Sequence, residues 1–186
     1  MKRFIKMLAV TCVAALALTA MAAAGASAAT FTASATGTLT AAQTTTHQFT
    51  TGSGTVSCKK AHTEGTITST AAASQHVTVK YSECTAYGFP ATVSSATYEL
   101  YAGGTVDVEN TITVSVPFLG CKLTVSPQNG LGSASYTNKS GKIEQHTAVT
   151  GIVSKGEGSC GGGTNGAYHG SSLVERVGGG TLEWDA

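Results

Sequence analysis

Three groups of residues in this chain have types and spacings that could do chemistry. The first is Gly156-Glu157-Gly158-Ser159-Cys160-Gly161-Gly162-Gly163. Its first six residues fit G-x-G-x-x-G, the loop that cradles dinucleotide phosphates. Such a loop needs a strand before it and a helix directly after, because the helix N-terminus holds the pyrophosphate. Val149 to Ser154 could supply the strand. The run Gly161 to Gly166 cannot begin a stable helix, since each glycine costs about 1 kcal/mol relative to alanine. The stretch therefore reads as a long hairpin loop pinned by a disulfide through Cys160, and no nucleotide is expected. The second group is carboxylate: Glu99, Asp107 and Glu109 are the densest set, with Glu99 and Asp107 able to face each other across the Gly103-Gly104 turn. Glycoside hydrolysis wants two carboxyls roughly 5 to 9.5 Å apart. Asp107 and Glu109 alternate with Val106 and Val108, which places them on a solvated face. The third group is His47, His62, His76, His146 and His169, of which no two stand at i, i+2. They read as exposed strand residues. No G-x-S-x-G, H-E-x-x-H or P-loop occurs, so neither a catalytic residue nor a cofactor is expected.

Four cysteines, Cys58, Cys84, Cys121 and Cys160, follow the N-terminal segment. Zinc does not suit them: there is no C-x-x-C, and no histidine lies within three residues of any of them. An even count in an exported chain points to disulfides. Three pairings are open. Cys58–Cys84 with Cys121–Cys160 is the expected one, since neighbours in the chain usually become neighbours in an antiparallel sheet. Each loop would then add roughly 3.5 to 4 kcal/mol on the chain-entropy account. Cys84 has the opposite parity to Val77, Val79 and Tyr81, so the strand must bulge or end near Ser82-Glu83 for its sulfur to face inward.

Export is read from the N-terminus. Lys2, Arg3 and Lys6 precede an uncharged apolar run, and Ala26-Ser27-Ala28 supplies a small-residue cleavage site. This is the tripartite secretory signal, residues 1–28, removed to leave one domain over 29–186. The apolar run approaches the roughly 20 residues of a membrane span, but its Ala and Gly content and the placement of the cleavage motif favour cleavage. Residues 29–186 carry eight Lys and Arg against ten Asp and Glu, a net charge of −2. Lys59-Lys60 is the one basic pair, read as a solvated turn. Nucleic acid, which wants clustered basic residues on one face, is not an expected partner.

The elements that must carry these groups are strands. Residues 29–186 hold 28 threonines and 22 glycines, and threonine suits a pleated surface exposed on one side. Val77, Val79 and Tyr81 alternate with Thr78 and Lys80; Val106 and Val108, then Ile112, Val114 and Val116, keep one parity; Cys121, Leu123 and Val125 share a face. Period two with one polar face marks antiparallel sheet packed on one side. Turn signals fall at residues 51–54, 102–104, 128–130, 139–141 and 178–180. The expectation is an all-β fold, an antiparallel sandwich or partly closed barrel of roughly ten short strands with two disulfides. An outer-membrane barrel is disfavoured, because the eleven aromatics of residues 29–186 do not form the girdle it needs. Asn138-Lys139-Ser140 is formally a glycosylation sequon.

Among the aromatics, Tyr87 and Phe89 stand directly after Cys84 in Thr85-Ala86-Tyr87-Gly88-Phe89-Pro90. An anchored loop carrying rings could be a partner-binding surface; the competing reading has Phe89 plugging the core with Tyr87 over it. Tyr168, in Tyr168-His169 and read as part of the loop before the penultimate strand, is a second candidate. The opening Phe31 to Thr40, the run Gly54 to Cys58, the Cys84–Pro90 loop and the turn Pro127 to Gly130 together resemble small secreted Thr/Gly-rich, disulfide-bearing proteins of actinobacteria that remain uncharacterised. The resemblance spans most of 30–184 and rests on turns and cysteines, so it implies a secreted β-rich fold and no activity, ligand or site. Function is accordingly expected to be that of a secreted, non-catalytic extracellular or cell-envelope protein, a binding or structural module. Its partner would be a cell-surface glycan or protein, and no membrane span would remain after cleavage. The alternative is a small secreted glycan-acting hydrolase. N-terminal sequencing of the protein recovered outside its host's cytoplasmic membrane should begin at Ala29; full-length chain confined to the cytosol would refute export.

Overall fold

A computed structural model describes residues 28–186. The expected signal, but for Ala28, lies outside the described residues. Fifteen strands follow in order: β1 (Thr30–Ala33), β2 (Gly37–Thr51), β3 (Gly54–Ile67), β4 (Ala71–Ala72), β5 (Ser74–Ala86), β6 (Phe89–Val93), β7 (Ala96–Tyr101), β8 (Thr105–Val108), β9 (Ile112–Val116), β10 (Cys121–Val125), β11 (Gln128–Gly132), β12 (Ala134–Asn138), β13 (Ile143–Glu157), β14 (Gly163–Arg176) and β15 (Leu182–Asp185). Among the described residues the one helical piece is a 3-10 turn, Pro117–Leu119. Of the sandwich and the barrel, the barrel is found.

Eight strands close the ring, each antiparallel to the next: β5, β3, β2, β14, β13, β10, β9, β6 and back to β5. Two of them change partners along their length. The C-terminal end of β5 pairs with β6 and its N-terminal half with β7, from which β8 and β11 continue. The C-terminal end of β13 pairs with β10 and its N-terminal end with β12. The barrel thus has an upper storey walled by β6, β9 and β10, and a lower one walled by β7, β8, β11 and β12. Between β11 and the middle of β13 the ladder is interrupted. There the Gln128 side chain stands in for it, accepting from the Val153 N–H (2.7 Å) and donating to the Val153 carbonyl (2.9 Å).

The strands are longer than the sequence suggested, because bulges carry them past sites that read as turns. Ser82 and Glu83 are both exposed, Glu83 lies at φ 53°, and Cys84 faces inward; this is the irregularity its parity required. Opposite them Lys59 and Lys60 are both exposed within β3, not in a turn, and Lys60 pairs with Glu83. A register shift between Ala42 and His47 lets Thr44, Thr45 and Thr46 swing outward and returns His47 to the interior. Gln128 to Gly130, read as a turn, belongs to bulged β11.

Two buried clusters fill the barrel. The lower contains Leu39, Ile67, Val77, Val106, Val149 and Ile152, and the upper contains Val56, Val114, Val116 and Leu123 with all four cysteines. Charged side chains such as Lys60, Lys80, Glu64 and His76 face out. An apolar interior with a polar exterior is the inverse of a lipid-facing barrel. No helix of the described residues is long and apolar enough to cross a membrane.

The lower end is capped by a three-stranded sheet ordered β15, β1, β4. Phe31 (4 % exposed) and Leu182 (2 %) sink from it into the core, and Phe31 meets Tyr136 edge-on at 4.9 Å. The Asn138 amide extends β12 onto this cap, donating to the Trp184 carbonyl and accepting from its N–H. The sequon asparagine is therefore engaged in strand pairing. Phe31→Ala should cost about 3 to 5 kcal/mol, read as a lower denaturant midpoint with little change in slope. A loss under about 1 kcal/mol would mean that the cap is not part of the core.

Candidate functional site

Two places in this fold gather groups that could recognise another molecule. The first is the upper end, where the loops of the ring strands collect. Cys58 and Cys84 are register partners on β3 and β5 and form one disulfide; Cys121 on β10 and Cys160 in the β13–β14 loop form the other. The expected pairing is the observed one. The glycine-rich stretch is the hairpin loop anticipated for it. Gly158 lies at φ 66°, and a Cβ there would overlap the Gly120 carbonyl, so its glycine serves close backbone approach and no helix follows.

Beside Cys84 the chain reverses through Tyr87-Gly88, a two-residue hairpin with positive φ at both positions (54° and 81°), as a type I′ turn requires. The Tyr87 ring lies over Gly54, where a Cβ would collide with it, and is 39 % exposed. Phe89 is half-buried and stacks on Phe118, with centroids 4.4 Å apart and planes 18° from parallel. Phe118 itself is 75 % exposed, the largest exposure of any big apolar side chain described. It was not singled out in the sequence. Its signal was an apolar Pro117-Phe118-Leu119 between two alternating strands, where no core position was available to it.

The second place is the interior. Tyr168 stands within β14, not in a loop, and its ring points into the barrel rather than to solvent. Its hydroxyl is 2.5 Å from His47 Nδ1 and 3.0 Å from the Tyr81 hydroxyl, which lies 3.0 Å from the Tyr98 hydroxyl. His47 Nε2 meets the Ser171 carbonyl and the Ser172 hydroxyl, each at 3.3 Å. Four strands, β7, β5, β14 and β2, thereby contribute to one chain of hydrogen bonds spanning the barrel where the two cores meet. Around it lies a cavity of about 90 Å³, walled mainly by valine, leucine and isoleucine. His62, His76, His146 and His169 are exposed as expected; His47 is buried, which the threonine bulge concealed.

Burial decides the protonation of this group. It lowers the pKa of His47 below the ordinary 6.5, against a smaller opposing effect of the Ser171 carbonyl. It also raises Tyr81 and Tyr168 well above 10, and brings Tyr98 up to about 12. The three phenols keep some accessible surface, and all three line the cavity.

The acidic group is arranged differently. Glu99 and Asp107 are direct register partners on β7 and β8. Asp107 accepts from the Gly130 N–H at 2.6 Å and the Tyr101 hydroxyl at 3.2 Å, and Glu99 accepts from the Ser74 hydroxyl at 2.5 Å. Glu99 also borders an open outer groove of about 730 Å³ with Glu64, His76 and Lys80. The Lys80 ammonium holds Glu64 below the usual carboxylate range, the wrong direction for a proton donor at neutral pH. Among the described residues no cluster of three or more His, Cys, Asp or Glu could hold a metal ion. Comparison of the chain with protein-family models, curated proteins and solved structures found no match.

The buried relay makes stability fall at both ends of the pH scale. Below pH 6.5 the unfolded chain takes up a proton on His47 that the folded state refuses, so stability drops as pH falls through 6.5 toward the lower folded value. Above pH 10 the unfolded phenols lose protons that the fold retains, so stability drops again, for Tyr98 up to about 12. Denaturant midpoints measured across pH should show both limbs. His47→Gln should flatten the acid limb and leave the alkaline one; an unchanged acid limb would show that His47 does not cause it.

Proposed function

We propose that this protein is exported and works outside the cytoplasmic membrane as a non-catalytic binding module. Its partner, a cell-surface glycan or protein, is taken on the upper end through Tyr87, Phe89 and Phe118. The observation that carries this reading is the stacked Phe89–Phe118 pair, with Phe118 75 % exposed on a rigid end of the barrel. Burying a ring of that size on a partner releases apolar surface that the monomer leaves in water. Pre-organisation supports the same reading. The Cys58–Cys84 disulfide, the two-residue turn and the stack restrain the rings in advance, so little ordering entropy is lost on binding.

The N-terminal signal and the two formed disulfides support an oxidising destination, the extracellular space or the cell envelope. A barrel with an apolar interior, polar walls and one aromatic end suits display of that end. Retention of the oxidised protein on purified cell walls and on a panel of surface proteins tests the proposal. The double variant Tyr87→Ala/Phe118→Ala should bind its partner at least 1 to 2 kcal/mol more weakly. Both rings are largely outside the core, so the thermal midpoint should move little. Undiminished retention by the double variant would place the interface elsewhere.

A further inference from the structure

The interior relay has a direction, set by one group. The Ser171 carbonyl can only accept, so His47 Nε2 carries the ring proton and Nδ1 is an acceptor. Nδ1 then takes its hydrogen bond from the Tyr168 O–H, Tyr168 accepts from Tyr81, and Tyr81 accepts from Tyr98. This is the arrangement in which every contact of the chain holds a proton. It leaves the Tyr98 oxygen at the open end, having donated its proton and accepting none among the described residues, on the wall of the cavity.

We propose that the barrel interior is a binding site for a small neutral alcohol, whose hydroxyl donates to the Tyr98 oxygen and whose carbon chain lies against Val77, Val79, Val108 and Val149. No Lys, Arg, Asp or Glu lines the cavity. A carboxylate or ammonium would be buried without a counter-charge, at a cost no hydrogen bond here offsets. Thr63, Gln145, Thr147 and Ser172 also line the cavity, but an ether or ketone of equal size offers only an acceptor and cannot satisfy the Tyr98 oxygen. Size narrows the class further. Scaled from the roughly 150 Å³ cavity that takes benzene, this one has room for about three or four non-hydrogen atoms. Between β11 and β13 the wall is closed by the Gln128 amide in place of a ladder. This site is separate from the aromatic end, and neither proposal depends on the other.

The test is a titration of the purified oxidised protein, following valine-methyl shifts by NMR. The probes are 1-propanol, its isomer ethyl methyl ether, which lacks the donor, and acetate. Saturable shifts of interior valines are expected with 1-propanol. The ether should bind about fivefold more weakly, the worth of one hydrogen bond, and acetate should give no interior shifts. Tyr98→Phe should bring 1-propanol down to the affinity of the ether and leave the ether unchanged. Tyr81→Phe supplies an independent arm: it frees the Tyr98 proton to donate, so the preference for alcohol over ether should shrink. Equal binding of alcohol and ether, interior binding of acetate, or a Tyr98→Phe protein with unaltered alcohol affinity would overturn the proposal. So would a folded protein whose interior valines respond to no probe, since the cavity would then hold water only.

Discussion

Closing a sheet into a barrel requires every strand to find a partner on both sides, and here two strands, β5 and β13, each serve two partners on the same side. The rest of the architecture follows from that division. The C-terminal ends of both strands are held to β6, β9 and β10, so the upper storey is a complete hydrogen-bonded ring. Their N-terminal halves lean on β7, β8, β11 and β12, which meet less completely and leave a side-chain amide to finish the wall. Both disulfides lie in the complete storey and tie its loops. The cap sheet closes the other end. Ring, staples and cap thus divide the work of excluding water from an interior that small side chains alone would leave open.

That interior is filled mostly by valine and alanine, with threonine on the outer faces. β-branched residues suit the pleat, but valine does not reach across a barrel of eight strands. The middle is spanned instead by Tyr81, Tyr98 and Tyr168, whose rings cover the distance and whose hydroxyls must then find partners in a mainly apolar interior. His47 and the Ser171 carbonyl supply the end of that chain. Apolar packing and polar satisfaction are therefore one problem here, solved by the same four side chains. The residual cavity is what the solution leaves over.

Much of the fold was legible in the sequence because its signals are local. Alternation at Val77, Val79 and Tyr81 and at Cys121, Leu123 and Val125 identifies strands with one apolar face, and the parity conflict at Cys84 calls for a bulge or a strand end near Ser82-Glu83, of which the bulge is found. The disulfide pairing followed from adjacency. What escaped reading was non-local. Thr44-Thr45-Thr46 carries no local sign of a bulge, and only the pairing of β2 with both β3 and β14 shows the one that turns His47 inward. The inward ring of Tyr168 depends on which neighbours lie across the barrel. Phe118 stacks on Phe89 because β6 and β9 are paired, a contact between segments some thirty residues apart in the chain. Of the candidate rings, Tyr87 and Phe89 stand at one end of the molecule and Tyr168 inside it, a separation that no spacing in the sequence encodes.

The cap has a mechanical consequence. β1 and β15 run antiparallel with Thr30 opposite Asp185, so both ends of the domain leave the barrel at the same corner. A load pulling those ends apart acts across the ladder rather than along it, and breaks its hydrogen bonds one after another like a zip. The four paired rungs of β1 and β15 yield first, drawing Phe31 and Leu182 out of the lower core. Further up, the Cys58–Cys84 and Cys121–Cys160 bonds fix how much chain can pay out, since the segment between each pair of cysteines cannot extend while its bridge holds. The molecule is compliant at the corner where its two ends meet and stiff at the aromatic end.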